Sequence, residues 1–155
     1  KIPLRGFFDR RKKGMEIKIE NNLSANEYNN LRSKIGWDTK DVEVVQNAIK
    51  NSIIIKKATF KDKTIGMARA IEDGIYYLIV YVLVDPEYQK NGIGKKLIEE
   101  IEKEVENKTK KGQKCSINLV SISGKEEFYE KCGFRKIPFD YTGYGMIKRI
   151  EKGDE

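Results

Sequence analysis

Apolar residues recur along this chain with two distinct periods. A period of two appears first in Glu16-Ile17-Lys18-Ile19, a short strand, and then in three closely spaced runs, Ile53 to Phe60, Thr64 to Ile71 and Ile75 to Val84. The separators Lys61-Asp62-Lys63 and Glu72-Asp73-Gly74 are of hairpin length and carry turn residues, so the three runs predict an antiparallel meander. The third run is the longest and most apolar, and predicts a central strand covered on both faces.

Helical spacing fills the remainder. Ser24-Ala25-Asn26-Glu27 reads as a capping box opening a helix that runs to about Gly36. A second helix is expected from Thr39 or Asp41 to near Asn51, with Val42, Val45, Ala48 and Ile49 on one face. A long helix follows Asn91, with Ile93, Leu97, Ile98, Ile101 and Val105 in one stripe, and ends between Lys108 and Gly112. A strand at about Cys115 to Val120 leads to a helix from Ser123 to Cys132, stopped by Gly133. A strand after Phe134, broken by Pro138, and a last strand at Met146 to Ile150 complete the order β-α-α-β-β-β-α-β-α-β-β, an α/β (α+β) arrangement. Repeats and interdomain linkers are absent, so residues 15–155 read as one domain.

Composition changes this picture mainly by exclusion. There is no histidine, and Cys115 and Cys132 lie in unrelated contexts, so structural zinc, any other metal site built on histidine, and histidine-based catalysis are not expected. The base must then be a carboxylate, a tyrosine, a water chain or a terminus. The net charge of +7 raises nucleic acid as a partner. Most of that charge sits in the leader of residues 1–14, with Lys1, Arg5, Arg10, Arg11, Lys12 and Lys13 against Asp9. Beyond Met15, lysines alternate with glutamates as on solvated helix faces, and neither nucleic acid nor membrane is the expected partner. The leader itself reads as a disordered upstream or appended extension that lacks the apolar stretch of a secretory signal, and a cytoplasmic location is expected; monomer or homodimer is the expected state.

The chemistry concentrates in Val84-Asp85-Pro86-Glu87-Tyr88-Gln89-Lys90-Asn91-Gly92-Ile93-Gly94-Lys95, between an apolar strand and a helix N-terminus. Gly92 and Gly94 allow the backbone to approach an anion closely, and the first helical amides and the macrodipole favour a pyrophosphate there. Lys90, Lys95 and Lys96 add positive charge. The spacing is neither the Rossmann G-x-G-x-x-G nor the Walker G-x-x-x-x-G-K-[ST] pattern.

Gln89-Lys90-Asn91-Gly92-Ile93-Gly94 resembles the Gln/Arg-x-x-Gly-x-Gly/Ala signature of the GNAT superfamily of acyl-CoA-dependent N-acetyltransferases. Glu127-Phe128-Tyr129-Glu130-Lys131-Cys132-Gly133-Phe134 is similar to the family's F-Y-x-x-x-G-F block. The resemblance spans nearly all of the chain after the leader. It implies a mixed, mostly antiparallel central sheet of six to seven strands with about four flanking helices. Acetyl-CoA is the implied cosubstrate, held by main-chain groups of Val82, Leu83 and Val84 and by the loop Gln89, Lys90, Asn91, Gly92, Ile93, Gly94 and Lys95. Tyr129 is the implied acid that reprotonates the leaving thiolate.

The implied reaction is direct attack of a free amine on the thioester, with a water chain ending at Tyr76, Tyr81 or an acidic residue removing a proton. The acceptor wall is expected to involve Trp37, Tyr81 and Tyr144, with Asp38, Asp140 and Tyr141 nearby to attract a cationic amine. The carboxylate bases of the family's protein-directed members are missing, since the matching positions are Ile117 and Leu78, and the corresponding asparagine is Ile122. A small-molecule amine is therefore the expected acceptor. A peptide or protein acceptor, or a non-catalytic acyl-CoA-binding module, stands as the alternative.

Overall fold

The computed structural model describes residues 14–152, so the basic leader, apart from Gly14, lies outside the described residues. Contacts divide the chain into two compact units with the boundary between Leu119 and Val120.

The first unit contains a five-stranded sheet in the order β1-β2-β3-β4-β5, formed by Lys18–Glu20, Ile54–Phe60, Lys63–Glu72, Tyr76–Val84 and Ser116–Leu119. The first four strands run antiparallel, as the short hairpin separators require, and β5 joins β4 in parallel after a helical crossover. α1 (Ala25–Lys34) starts at the foreseen capping box: Glu27 N–H donates to Ser24 Oγ at 3.2 Å and Ser24 N–H to Glu27 Oε2 at 2.7 Å. α2 (Val42–Lys50) starts at Asp41, whose carboxylate accepts from the amides of Glu43 and Val44. Its expected apolar face is narrower than the spacing suggests, because Val45 is buried while Val42 is 46% exposed.

α3 (Ile93–Lys108) packs the foreseen stripe against the sheet, and Leu97, Ile98 and Ile101 are fully buried. Close approach is possible because the facing strand carries Gly66. A Cβ there would meet the Leu83 carbonyl at 3.1 Å, Ile93 at 3.2 Å and Leu97 at 3.3 Å.

A bulge sets which side chains of β4 meet which helices. Arg69 pairs with Tyr81 and Ala70 with Ile79, so Val80 has no opposite number on β3. Strict alternation would put Tyr77, Ile79, Tyr81 and Leu83 on one face. The extra residue instead leaves Tyr77 and Ile79 on the side of α3, and sends Tyr81 and Leu83 to the core packed by α1 and α2.

In the second unit, α4 (Glu126–Lys131) is shorter than the expected Ser123–Cys132 span. It ends as foreseen at Gly133 (φ 91°), with the Phe134 amide donating to the Tyr129 carbonyl at 3.1 Å. The expected six to seven strands are corrected to five among the described residues, because neither the segment after Phe134 nor Met146 to Ile150 is a strand. Pro138 lacks a donor, and Met146-Ile147-Lys148-Arg149-Ile150 groups its apolar residues instead of alternating them. Met146 and Ile150 are accordingly 96% and 88% exposed. No helix among the described residues is long and apolar enough to cross a membrane.

Candidate active site

β4 and β5 pair only from Tyr76↔Ser116 to Ile79↔Leu119. Beyond that point no strand among the described residues pairs with this edge of β4, through Val82, Leu83 and Val84. Alternate main-chain groups on this edge therefore face outward and can take an extended ligand as a strand would be taken. Leu83 is buried, so its contribution is main-chain only. The Val84 carbonyl already accepts from Gln89 Nε2 at 3.0 Å, which folds the signature glutamine back onto the end of the strand.

The loop that follows is held by its own polar groups. Asp85 is 1% exposed and accepts from the Glu87 amide at 3.1 Å and from Lys34 Nζ at 2.5 Å, which fastens the end of α1 to the start of the loop. Burial pushes the Asp85 carboxyl upward, but the hydrogen bonds from Lys34 and the Glu87 amide outweigh it and hold the group below its ordinary range. Asn91 Nδ2 donates to the carbonyls of Tyr88 and Gln89 at 2.9 and 3.0 Å. Lys90 (φ 64°) and Gly92 (φ 78°) both take the left-handed conformation, which turns the chain into α3.

Gly92 caps α3 without a side-chain hydrogen bond, and the first helical bond is Lys96 N–H to the Gly92 carbonyl at 3.0 Å. The amides of Ile93, Gly94 and Lys95 therefore have no partner within the helix and point along its axis, where the macrodipole favours an anion. Ile93 can contribute only through its backbone, since its side chain is buried. Lys95 is exposed, 3.6 Å from Glu99, and Lys96 reaches the Ile17 carbonyl at 3.2 Å. The residues present fit a phosphate-bearing extended ligand: an amide cradle continuous with an open strand edge.

On the α1 and α2 side of the sheet, Tyr81 and Trp37 meet edge to face with centroids 5.5 Å apart. Two arginines are buried with them. Arg32, on α1, lies 5.1 Å from the Trp37 ring and 5.8 Å from both the Tyr28 and Tyr81 rings. Arg69, on β3, lies 5.9 Å from the Tyr28 ring and 5.7 Å from the Tyr81 ring. Arg32 Nε donates to the Asp38 carbonyl at 2.7 Å and Arg69 Nη1 to Ser52 Oγ at 3.1 Å. Arg32 Nη1 and Arg69 Nε are buried with no hydrogen-bond partner. Burying an ion costs several kcal/mol, and cation–π contact returns about 0.5–2 kcal/mol, so the rings alone do not offset the burial of these charges. Neither arginine belongs to a motif. The signal available in the sequence is a charged residue among Met67, Ala68 and Ala70 on an apolar strand, and an arginine one turn after Tyr28.

Among the expected acceptor residues, the fold thus brings Trp37 and Tyr81 together. Asp38 meets Arg32 through its main-chain carbonyl and not as a carboxylate. Tyr144, Tyr141 and Asp140 belong to the second unit, where Tyr144 and Tyr141 are 80% and 95% exposed. Tyr129 also lies there, half-buried on α4, with its ring edge to face with Phe128 at 5.0 Å and Phe134 at 6.1 Å. Burial and the nearby Cys132 raise its phenol above the ordinary value, so the group is protonated throughout the neutral range. A concavity of about 530 Å³ lined by Lys18, Thr59, Phe60 and Lys61 sits at the β1–β2 end of the sheet, remote in strand order from the open β4 edge.

A profile described as the acetyltransferase (GNAT) domain matches residues 50–136. An N-acetyltransferase of Pyropia yezoensis, ycf52, is 28% identical over 136 residues, covering 84% of this chain and 76% of the relative. Histone acetyltransferase TAP1 of Glycine max is 32% identical over 130 residues, covering 73% of this chain and 52% of its own length, so the chain spans about half of that relative. A solved structure from meticillin-resistant Staphylococcus aureus, described as a probable acetyltransferase, superposes with a TM-score of 0.74 at 26% identity, covering 87% of this chain and 100% of the other. An aminoglycoside acetyltransferase from a soil metagenome shares the fold, with a TM-score of 0.62 at 20% identity over 85% of this chain and 97% of its own. With the family profile matched across more than half its length, and an open strand edge running into an amide-lined helix start, the chain belongs to the GNAT family and is an acyl-CoA-dependent acetyltransferase.

Proposed function

We propose that this acetyltransferase carries an acetyl group from acetyl-CoA to the primary amine of a small molecule. The observation that carries this reading is the depth of the polar groups on the face of Tyr81: Arg32 and Arg69 are 6% and 8% exposed, beneath rings of which Trp37 and Tyr81 remain part-exposed. A compact molecule can reach such groups, whereas a folded protein surface meets only the rim.

In this reading the amides of Ile93, Gly94 and Lys95 hold the coenzyme diphosphate, and Gly92 keeps the approach clear. The open edge at Val82 and Leu83 aligns the pantetheine arm, so that fixed geometry replaces a bimolecular encounter. Bound acetyl-CoA supplies the activated acyl group. Tyr129 holds a proton on its phenol oxygen for the departing sulfur, a role that its raised proton affinity suits. A polycationic acceptor is disfavoured, because guanidiniums stand where it needs carboxylates. A peptide or protein acceptor is the second reading, favoured by the name of the soybean relative, a histone acetyltransferase.

Thiol release followed with Ellman's reagent, over small amines and lysine-bearing peptides in parallel, decides between the two. Turnover of small amines is expected; turnover of peptides alone would reverse the assignment. Tyr129→Phe is expected to lower kcat by about 10²-fold, and an unchanged kcat removes the tyrosine from the acid role.

A further inference from the structure

The buried cations of the first unit fall into two groups. Lys56 meets Glu104 at 2.5 Å, and Lys57 meets Glu20 and Glu27 at 3.0 Å each. Both buried lysines thus have a carboxylate from the chain itself. Arg32 and Arg69 are buried just as thoroughly, yet no carboxylate among the described residues lies within salt-bridge distance of either. Both guanidiniums lie within 6 Å of the same two rings, Tyr28 and Tyr81, and each keeps one buried N–H without a partner.

We infer that Arg32 and Arg69 form a receptor for an anionic group on the acceptor, and that the acceptor is a small primary amine bearing a carboxylate, of the amino-acid type. The inference rests on the small-molecule reading above and narrows it. A carboxylate offers two oxygens in a plane, which suits unpartnered guanidinium N–H groups. Ser52 Oγ, held by Arg69 Nη1, and the Asp38 carbonyl, held by Arg32 Nε, fix the two side chains so that their remaining donors are set before a ligand arrives. The part-exposed Trp37 and Tyr81 rings form the way in. Tyr81 follows the Val80 bulge on β4, the strand whose open edge runs to the amide cradle. An anion anchored at the arginines is thus tied to the strand that aligns the acetyl donor.

The experiment uses matched acceptors: leucine against leucinamide, glutamate against glutamine, and 4-aminobutyrate against butylamine, with phosphoethanolamine against ethanolamine to tell a carboxylate from a phosphate. Two readouts are taken. The first is kcat/KM from thiol release, and the second is the fluorescence of Trp37, the single tryptophan of the chain, which reports binding whether or not turnover occurs. At least one carboxylated amine is expected to exceed its uncharged partner by about tenfold or more, as charged hydrogen bonds in a buried site imply. That selectivity is expected to fall toward unity in Arg32→Gln and in Arg69→Gln, and to return partly in Arg69→Lys. A variant that merely folds poorly loses activity on both members of a pair and keeps the ratio, which overturns the assignment. So does turnover with equal preference for charged and uncharged amines, which leaves the small-molecule reading intact. Selectivity confined to phosphoethanolamine overturns the carboxylate. Turnover of peptides alone removes both readings, and absence of any saturable Trp37 response to the anionic amines removes the receptor by itself.

Discussion

Against α3 the sheet presents Ile54, Ala58, Gly66, Ala68 and Ala70, and the helix answers with Leu97, Ile98 and Ile101 at full burial. Lys56 intrudes there, but Glu104 of the same helix neutralises it. Against α1 and α2 the same strands present Ile55, Lys57, Met67 and Arg69, then Tyr81 and Leu83 past the bulge, and the helices add Tyr28, Leu31, Arg32 and Val45. One side is a packing surface whose small residues let a helix approach closely. The other mixes aromatic rings with charge and leaves two guanidiniums uncompensated. The difference separates residues that keep the sheet and the loop before α3 in register from residues that need something outside the chain. Removing a residue from the first side should cost stability, and removing an unmatched charge from the second should cost recognition.

The largest effect lies on the α3 side. Leu97→Ala is expected to lower unfolding stability by about 2–5 kcal/mol, read from urea midpoints, because Leu97 is fully buried against Gly66. A loss below about 0.5 kcal/mol would erase the distinction between the faces.

Next comes an acid transition on the α1 side. Glu27 accepts from Thr64 Oγ1 at 2.6 Å and from Lys57 Nζ at 3.0 Å. Burial opposes its ionisation, but these bonds and those from Ser24 prevail and bring the carboxyl from its ordinary 4.5 down to about 2. The folded state thus binds fewer protons than the unfolded chain. Stability from this group is complete above about pH 4.5 and drains away as pH falls toward about 2. Wild type should lose about 1–3 kcal/mol across that window, and Glu27→Gln should flatten the curve there while lowering stability at pH 7.

The smallest effect sharpens the comparison most. Lys57→Met strands Glu20 and Glu27 and should destabilise by about 1–2 kcal/mol, whereas Arg69→Met removes an uncompensated charge and should be neutral or stabilising by about 1 kcal/mol. Equal losses in the two variants would mean that Arg69 serves the fold after all.

Much of this architecture is legible in the sequence because its signals are local. The capping box at Ser24, the meander between Ile53 and Val84, the stripe from Ile93 to Val105 and the glycine turn into α3 each depend on residues within a few positions of one another. The start of α3 belongs to this class, since the left-handed Gly92 and the helix it opens leave the amides of Ile93, Gly94 and Lys95 without partners in the helix. Three features escape, two of them because they depend on distant neighbours. The bulge at Val80 arises from pairing with β3 and places Tyr81 on the side opposite to Ile79, which strict alternation along the strand does not give. The final two strands have the composition of strands but form no ladder among the described residues. Arg32 and Arg69 acquire meaning only once α1 is laid over β3, some thirty residues downstream, and no motif draws attention to either.

The extra residue at Val80 makes β4 two short messages spliced out of phase. A positional scan along the strand should show its alternation of tolerant and intolerant sites invert at that point. A lineage can therefore revise what Tyr81 greets without disturbing what Ile79 supports, because the two no longer share a side. Drawing Val80 into the ladder opposite Arg69 would merge the messages, turning Tyr81 in among the aliphatic residues and leaving the guanidiniums without their aromatic wall.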